Sequence, residues 1–127
     1  MTKIGSIGWI DLTVEDAAQV SDFYCQVVGW ERSSVPQDGY DDYCVHPPGD
    51  ESPAAGICHA RGPNASIPPQ WLIYVIVADV QSSVEACERL GGKIVVANRD
   101  MGSYGTLAII QDPAGATLAL MQPPADD

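Results

Sequence analysis

The chain writes one grammar twice. With Val14-Glu15-Asp16 laid over Val77-Ala78-Asp79, Ile10 meets Ile73 and Gly29 meets Gly92 without a gap. Each copy reads as a strand, an Asp placed to cap a helix, a helix with one apolar stripe, and a Gly where that helix should stop. A chain of 127 residues is long enough for one sizeable core, and halves of it are too short to be stable alone. The repeat therefore predicts a single domain of two modules: module one over about 4–61, a linker at 62–69, and module two over about 70–122.

The first strand is read over Ile4–Val14, with Trp9, Asp11 and Thr13 on one face and Ile10, Leu12 and Val14 on the other. Asp16 fits the N-cap of a helix whose expected stripe is Ala17, Val20, Phe23, Tyr24 and Val27, and Gly29 supplies the left-handed stop. Strands are expected at Tyr43–Val45 and Ala54–Ala60, and His46, before Pro47, reads as an exposed turn residue. RGPNASIPP has linker composition.

Module two opens with the apolar strand Trp71–Val77, then a helix capped by Asp79 with stripe Val80, Val84, Cys87 and Leu90, ended by Gly91-Gly92. Strands follow at Lys93–Ala97, Thr106–Gln111 and Thr117–Met121, with a type I turn at Asp112-Pro113-Ala114-Gly115. The tail from Pro123 to Asp127 is expected to fray.

The charge narrows the partners. Six Lys+Arg against 17 Asp+Glu give a net charge of −11, which repels nucleic acid and anionic membrane surfaces and would attract a cationic ligand. Apolar runs are strand-sized, shorter than the ~20 residues of a membrane helix. Four separated cysteines without a CxxC pair, and no secretory leader, predict free thiols in the cytoplasm.

LTVEDAAQVSDFYCQVVGW, VIVADVQSSVEACERLGGK and QDPAGATLAL together resemble the vicinal-oxygen-chelate superfamily, which includes glyoxalase I, bleomycin-resistance proteins and extradiol dioxygenases. The resemblance implies an α+β fold of paired βαβββ modules, their strands curled into a cup-shaped mixed sheet with helices outside, and a homodimer. Metal-using members take His, Gln or Glu ligands from the first and last strands of the modules. Carried onto this chain, those positions fall on Trp9, Leu72 and Ala119, none of which binds a metal. The fourth falls on Ile57 if four residues are inserted after the preceding turn and on His59 if six; either count turns Ile57 and His59 into the cup and Cys58 away. One nitrogen donor cannot hold a divalent ion that wants four to six ligands. No cofactor is expected, and a divalent metal is disfavoured.

His59 is the candidate for acid-base work, or a structural histidine bonded to backbone or to Asp11. Asp11 is expected to orient His59, meet a cation, or sit at a solvated rim. Tyr74 shares the inward face of Leu72, as wall or as a hydroxyl for a ligand oxygen. Trp9 packs a ligand ring or fills the cavity. Ile57, Leu72, Ala119 and Met121 complete the lining. Asn98–Gly105, with Arg99, Met101 and Tyr104, is a lip over the cup or a plain connection. The leading function is binding or sequestering a small organic ligand in a metal-free cup. Next comes a metal-independent lyase or isomerase with His59 as general base and Asp11 or Tyr74 assisting, and last a metal-dependent lactoylglutathione lyase or dioxygenase.

Overall fold

A computed structural model of the chain describes residues 3–124. The expected fraying of the tail falls partly on residues 125–127, outside the described residues. Two compact units make up the chain: residues 10–71 form one, and the chain up to Trp9 joins Leu72 onward in the other. The boundaries fall inside the first strand and at the start of the fifth.

In the unit of residues 10–71, β1 (Ile7–Val14) leads into α1 (Ala17–Val28), then β2 (Glu31–Pro36), β3 (Asp41–His46) and β4 (Ala55–His59). The strand order is β2-β3-β4-β1, with β1 and β4 parallel and the other pairs antiparallel. The Asp16 carboxylate accepts from the Gln19 amide at 3.0 Å. Gly29, at φ 88°, closes α1 by donating to the Cys25 carbonyl, a conformation that costs glycine little.

The stripe of α1 is narrower than expected. Ala17 and Ser21 are buried, while Phe23 is 56% and Val27 65% exposed. Phe23 and Val27 lie roughly 120–160° around the helix from Ser21 and so fall off the buried face, while the Arg32 guanidinium, from β2, donates to the Ser21 hydroxyl at 2.6 Å and the Ala18 carbonyl at 2.9 Å. Beneath α1, Leu12, Ala17, Val45, Ala55 and Ile57 form the core, flanked by Val20, Tyr24, Trp30 and Trp71. The Trp71 indole N–H donates to the Tyr24 hydroxyl at 3.2 Å.

The other unit carries β5 (Trp71–Ile76), α2 (Val80–Arg89), β6 (Lys93–Asp100), β7 (Thr106–Gln111) and β8 (Thr117–Gln122). Its order is β5-β8-β7-β6, with β5 and β8 parallel. Asp79 caps α2 through the Gln81 amide and the Ser82 hydroxyl, both at 3.0 Å. Val80 and Val84 pack on Ala108, with Val77 and Ile94 beside them. Leu90, expected on the stripe, is 70% exposed, because the helix has ended at Arg89. The turn after β7 forms as its residues require: the Gly115 amide donates to the Asp112 carbonyl at 2.9 Å, and the Asp112 carboxylate accepts from Ala114 and Ala116.

Candidate functional site

Strand register decides which side chains can meet. Across β1 and β4, Asp11 lies opposite Gly56, Leu12 opposite Ile57, Thr13 opposite Cys58 and Val14 opposite His59. Leu12 and Ile57 are buried together against Ala17 of α1, so that face of the sheet is the helix side. Asp11, Thr13, Gly56 and Cys58 occupy the opposite face, continued by Cys44 on β3 and Ser33 on β2; Asp11, Thr13 and Gly56 are buried there and Cys58 is half-buried.

This reverses the expected facing of β4. Ile57 is a core residue, His59 shares its parity, and Cys58 is the residue on the Asp11 side. Counting inserted residues failed because register is fixed by pairing with β1, not by the length of the preceding turn. Asp11 and Tyr74 coincide in the repeat, and Asp11 lies opposite Gly56 as Tyr74 lies opposite Ala119. The fourth candidate ligand position therefore falls on Gly56.

His59 is 9% exposed. Its partner is Asp42, whose Oδ1 accepts the His59 main-chain N–H at 2.8 Å and lies 3.4 Å from the ring Nδ1. The angle at Nδ1 does not make a hydrogen bond, so that atom is buried without one. Tyr40 meets the ring edge-on at 5.3 Å, Tyr43 lies 6.5 Å away, and Arg61 stacks over Tyr40. A histidine so enclosed is built first as a structural element. Asp42 escaped the sequence reading because β3 starts at Asp41, two residues before the strand was expected.

On the Asp11 face, burial pushes the Cys58 thiol well above the ordinary range, with Asp11, Asp42 and Cys44 adding to it. Burial and then Asp11 do the same to Cys44. Both stay protonated near neutral pH and are poor nucleophiles. His46 ends β3 half-buried rather than lying exposed in a turn; its Nε2 is 2.7 Å from the Ser33 hydroxyl, and its Nδ1 is buried without a partner.

In the other unit, Leu72 and Tyr74 share a face with Ala119 and Met121 by register, turned away from the α2 side that carries Ala108. Leu72, Tyr74 and Ala119 are buried, and Trp9 and Met121 are half-buried. The segment read as a lip begins as strand: β6 continues through Asn98 and Arg99 to Asp100. A single 3-10 turn at Gly102–Tyr104 follows, closed by the Met101 amide donating to the Gly105 carbonyl at 2.7 Å. That is a tight hairpin connection with Tyr104, 75% exposed, at its tip.

Two clefts open in the unit of residues 10–71. One, of about 530 Å³, lies between the start of α1 and the segment 60–69; the other, of about 510 Å³, is lined by Glu31, Arg32, Ser33, His46, Asp50 and Glu51. Neither is lined by Trp9, Asp11, Ile57, His59, Leu72 or Tyr74. Among the described residues, no three His, Cys, Asp or Glu side chains are placed to hold a metal ion. Trp9, Gly56, Leu72 and Ala119 offer no side-chain ligand, so the donor set does not fit a divalent cation.

Residues 6–120 match the model of the Glyoxalase/Bleomycin resistance protein/Dioxygenase superfamily. The chain belongs to that superfamily. A putative glyoxylase of Mycobacterium tuberculosis is 30% identical over 119 residues, covering 93% of this chain and 46% of that protein. An anthracycline biosynthesis protein of Streptomyces peucetius is 28% identical over 127 residues, covering 91% and 46%. The chain thus spans about half the length of these relatives. Among solved structures, methylmalonyl-CoA epimerase from Mycobacterium tuberculosis has a TM-score of 0.53 at 16% identity, covering 98% of this chain and 94% of that one. A superfamily member from Vibrio splendidus has a TM-score of 0.55 at 13% identity, covering 90% and 96%. At these identities the likeness is one of fold, and it agrees with the expected α+β arrangement of two βαβββ modules. Among the described residues, no helix is long and apolar enough to cross a membrane.

Proposed function

We propose that this superfamily member binds a small organic ligand without a metal, holding or sequestering it. The observation that carries the reading is the replacement of all four candidate ligand positions by Trp9, Gly56, Leu72 and Ala119. What remains on the Asp11 face of the sheet in residues 10–71, largely buried in the isolated chain, suits organic recognition. Asp11 supplies a carboxylate, Thr13 a hydroxyl, and Gly56 leaves its place in the row between Asp11 and Cys44 without a side chain. Tyr74 gives the other unit a buried tyrosine on the sheet face of Leu72, Ala119 and Met121. The protein works as a cytoplasmic homodimer in this reading, without a cofactor.

The relatives named for anthracycline biosynthesis make an anthracycline a reasonable first ligand to try. Chelator-treated protein screened by ligand-observed NMR against an organic panel including an anthracycline should yield a binder. Asp11→Asn should weaken that binder at least about tenfold, the lower end for one charge-assisted hydrogen bond. A panel without a binder, or binders that appear only when a divalent metal is restored, would overturn the proposal.

A metal-independent lyase or isomerase is the second reading, supported by the 3.4 Å approach of Asp42 to His59 Nδ1. It requires the His59 ring to leave its packing against Tyr40. Turnover unchanged in His59→Ala would remove it.

A further inference from the structure

The larger cleft lies beside the start of α1, meets the Asp11 face of β1 at Thr13, and has two kinds of wall that differ in chemistry. Val14, Val20, Ala60, Ala65, Ile67 and Pro69 make an apolar lining, while Glu15 and Asp16 stand at the start of the helix. At about 530 Å³ it falls in the range of ~300–1,000 Å³ of small-molecule sites.

The first turn of a helix commonly attracts anions, but the amides of the two α1 residues that line this cleft, Gln19 and Val20, are engaged. The Gln19 amide donates to the Asp16 side chain and the Val20 amide to the Asp16 carbonyl. Along the opposite wall, the amides of Ala60, Ala65 and Ile67 donate to the carbonyls of Val14, Gly62 and Asn64. An anion would find none of these N–H groups free, and it would face two carboxylates on a chain of net charge −11. A neutral apolar molecule would fill the lining but leave the carboxylates unanswered.

We propose that this cleft takes a protonated amine carried on a compact apolar body, the ammonium beside Glu15 and Asp16 and the body against Val20, Ala60, Ala65 and Ile67. The assignment rests on the ligand-binding reading above and names for it a place and a ligand class. Asp16 has the helix to cap, so Glu15 is the carboxylate free to discriminate charge. Both carboxylates are exposed, which limits the preference for a cation over a neutral molecule of the same shape to about three- to fivefold at low salt.

The whole chain, labelled with nitrogen-15, should be titrated with 4-tert-butylbenzylamine and with 4-tert-butylbenzyl alcohol, its uncharged counterpart. Amide shifts are expected at Val14, Gln19, Ala60, Ala65 and Ile67, with the amine bound more tightly than the alcohol. Glu15→Gln should erase most of that preference. Ala65→Phe, at a position with ordinary helical dihedral angles, should weaken both ligands roughly tenfold by filling the mouth. Equal binding of amine and alcohol would overturn the ligand class. Unchanged affinity in Ala65→Phe, or no binding of either probe, would overturn the site. Shifts centred instead on Asp11, Gly56 and Cys58 would reject this cleft while leaving the ligand-binding reading in place.

Discussion

Ile57→Ala tests the facing of β4, on which the placement of every candidate residue in residues 10–71 depends. Ile57 is fully buried against Leu12, Ala17, Val45 and Ala55. Removing three carbons there loses their transfer free energy and leaves a cavity that surrounding backbone cannot fill, for a cost of about 2–5 kcal/mol. Taking about 3 kcal/mol, and an unfolding entropy of about 0.27 kcal/mol per kelvin for a chain this long, the melting temperature should fall by roughly 10 °C. Urea denaturation of wild type and variant, with thermal unfolding alongside, measures both numbers. Val35→Ala, on the exposed edge strand β2, should cost less than ~1 kcal/mol in the same assay. A loss below ~1 kcal/mol for Ile57→Ala, equal to the control, would refute the core assignment and return Ile57 to the ligand side.

Three further perturbations follow from particular contacts. Asp42→Ala leaves the buried His59 N–H without its acceptor and should cost about 1–3 kcal/mol in urea denaturation; a neutral result would mean that Asp42 does not hold β4. The raised thiol of Cys58 ionises later in the folded than in the unfolded chain, so its contribution to stability is intact below pH 9 and declines as pH rises beyond it. Cys58→Ser should flatten that alkaline decline, and in intact-mass alkylation at pH 8 Cys58 should react more slowly than Cys87 in the wild type. Gly105 sits at φ 108°, and a Cβ there would run into the Gln122 carbonyl. Gly105→Ala should therefore lose about 2 kcal/mol or more, and a stable variant would contradict the tight connection between β6 and β7.

Features governed by local chemistry were legible in the sequence. Asp16 and Asp79 cap their helices, Gly29 stops α1, and Asp112 with Gly115 builds the turn before β8, because each needs only its neighbours in the chain. The repeat likewise announced two βαβββ modules. Features that depend on pairing at a distance were hidden. Ile57 and His59 were turned the wrong way because one residue of register moves a whole strand to its other face, and only the pairing of β4 with β1 fixes that register. Phe23 and Val27 looked like core residues because they are apolar at nearly helical spacing, whereas the buried face of α1 is centred on Ala17 and Ser21. His59 suggested Asp11, whereas a carboxylate beside its ring belongs to Asp42, on a strand whose first residues carry no apolar alternation. The candidate site was thus legible as a list of residue types at Trp9, Asp11, Leu72, Tyr74 and Ala119, and not as a geometry.

Metal independence is the central claim, and thermal unfolding tests it directly. Chelator-treated protein should be melted alone and with Zn(II), Ni(II), Mn(II), Fe(II) and Mg(II), each added in excess. A metal present at 100 times its dissociation constant would add ~2.7 kcal/mol, or roughly 10 °C for this chain. With Trp9, Gly56, Leu72 and Ala119 at the candidate ligand positions, no ion should move the midpoint by more than about 1 °C. A shift near 10 °C with any one of them, matched by one equivalent of that metal in the untreated protein, would contradict the claim.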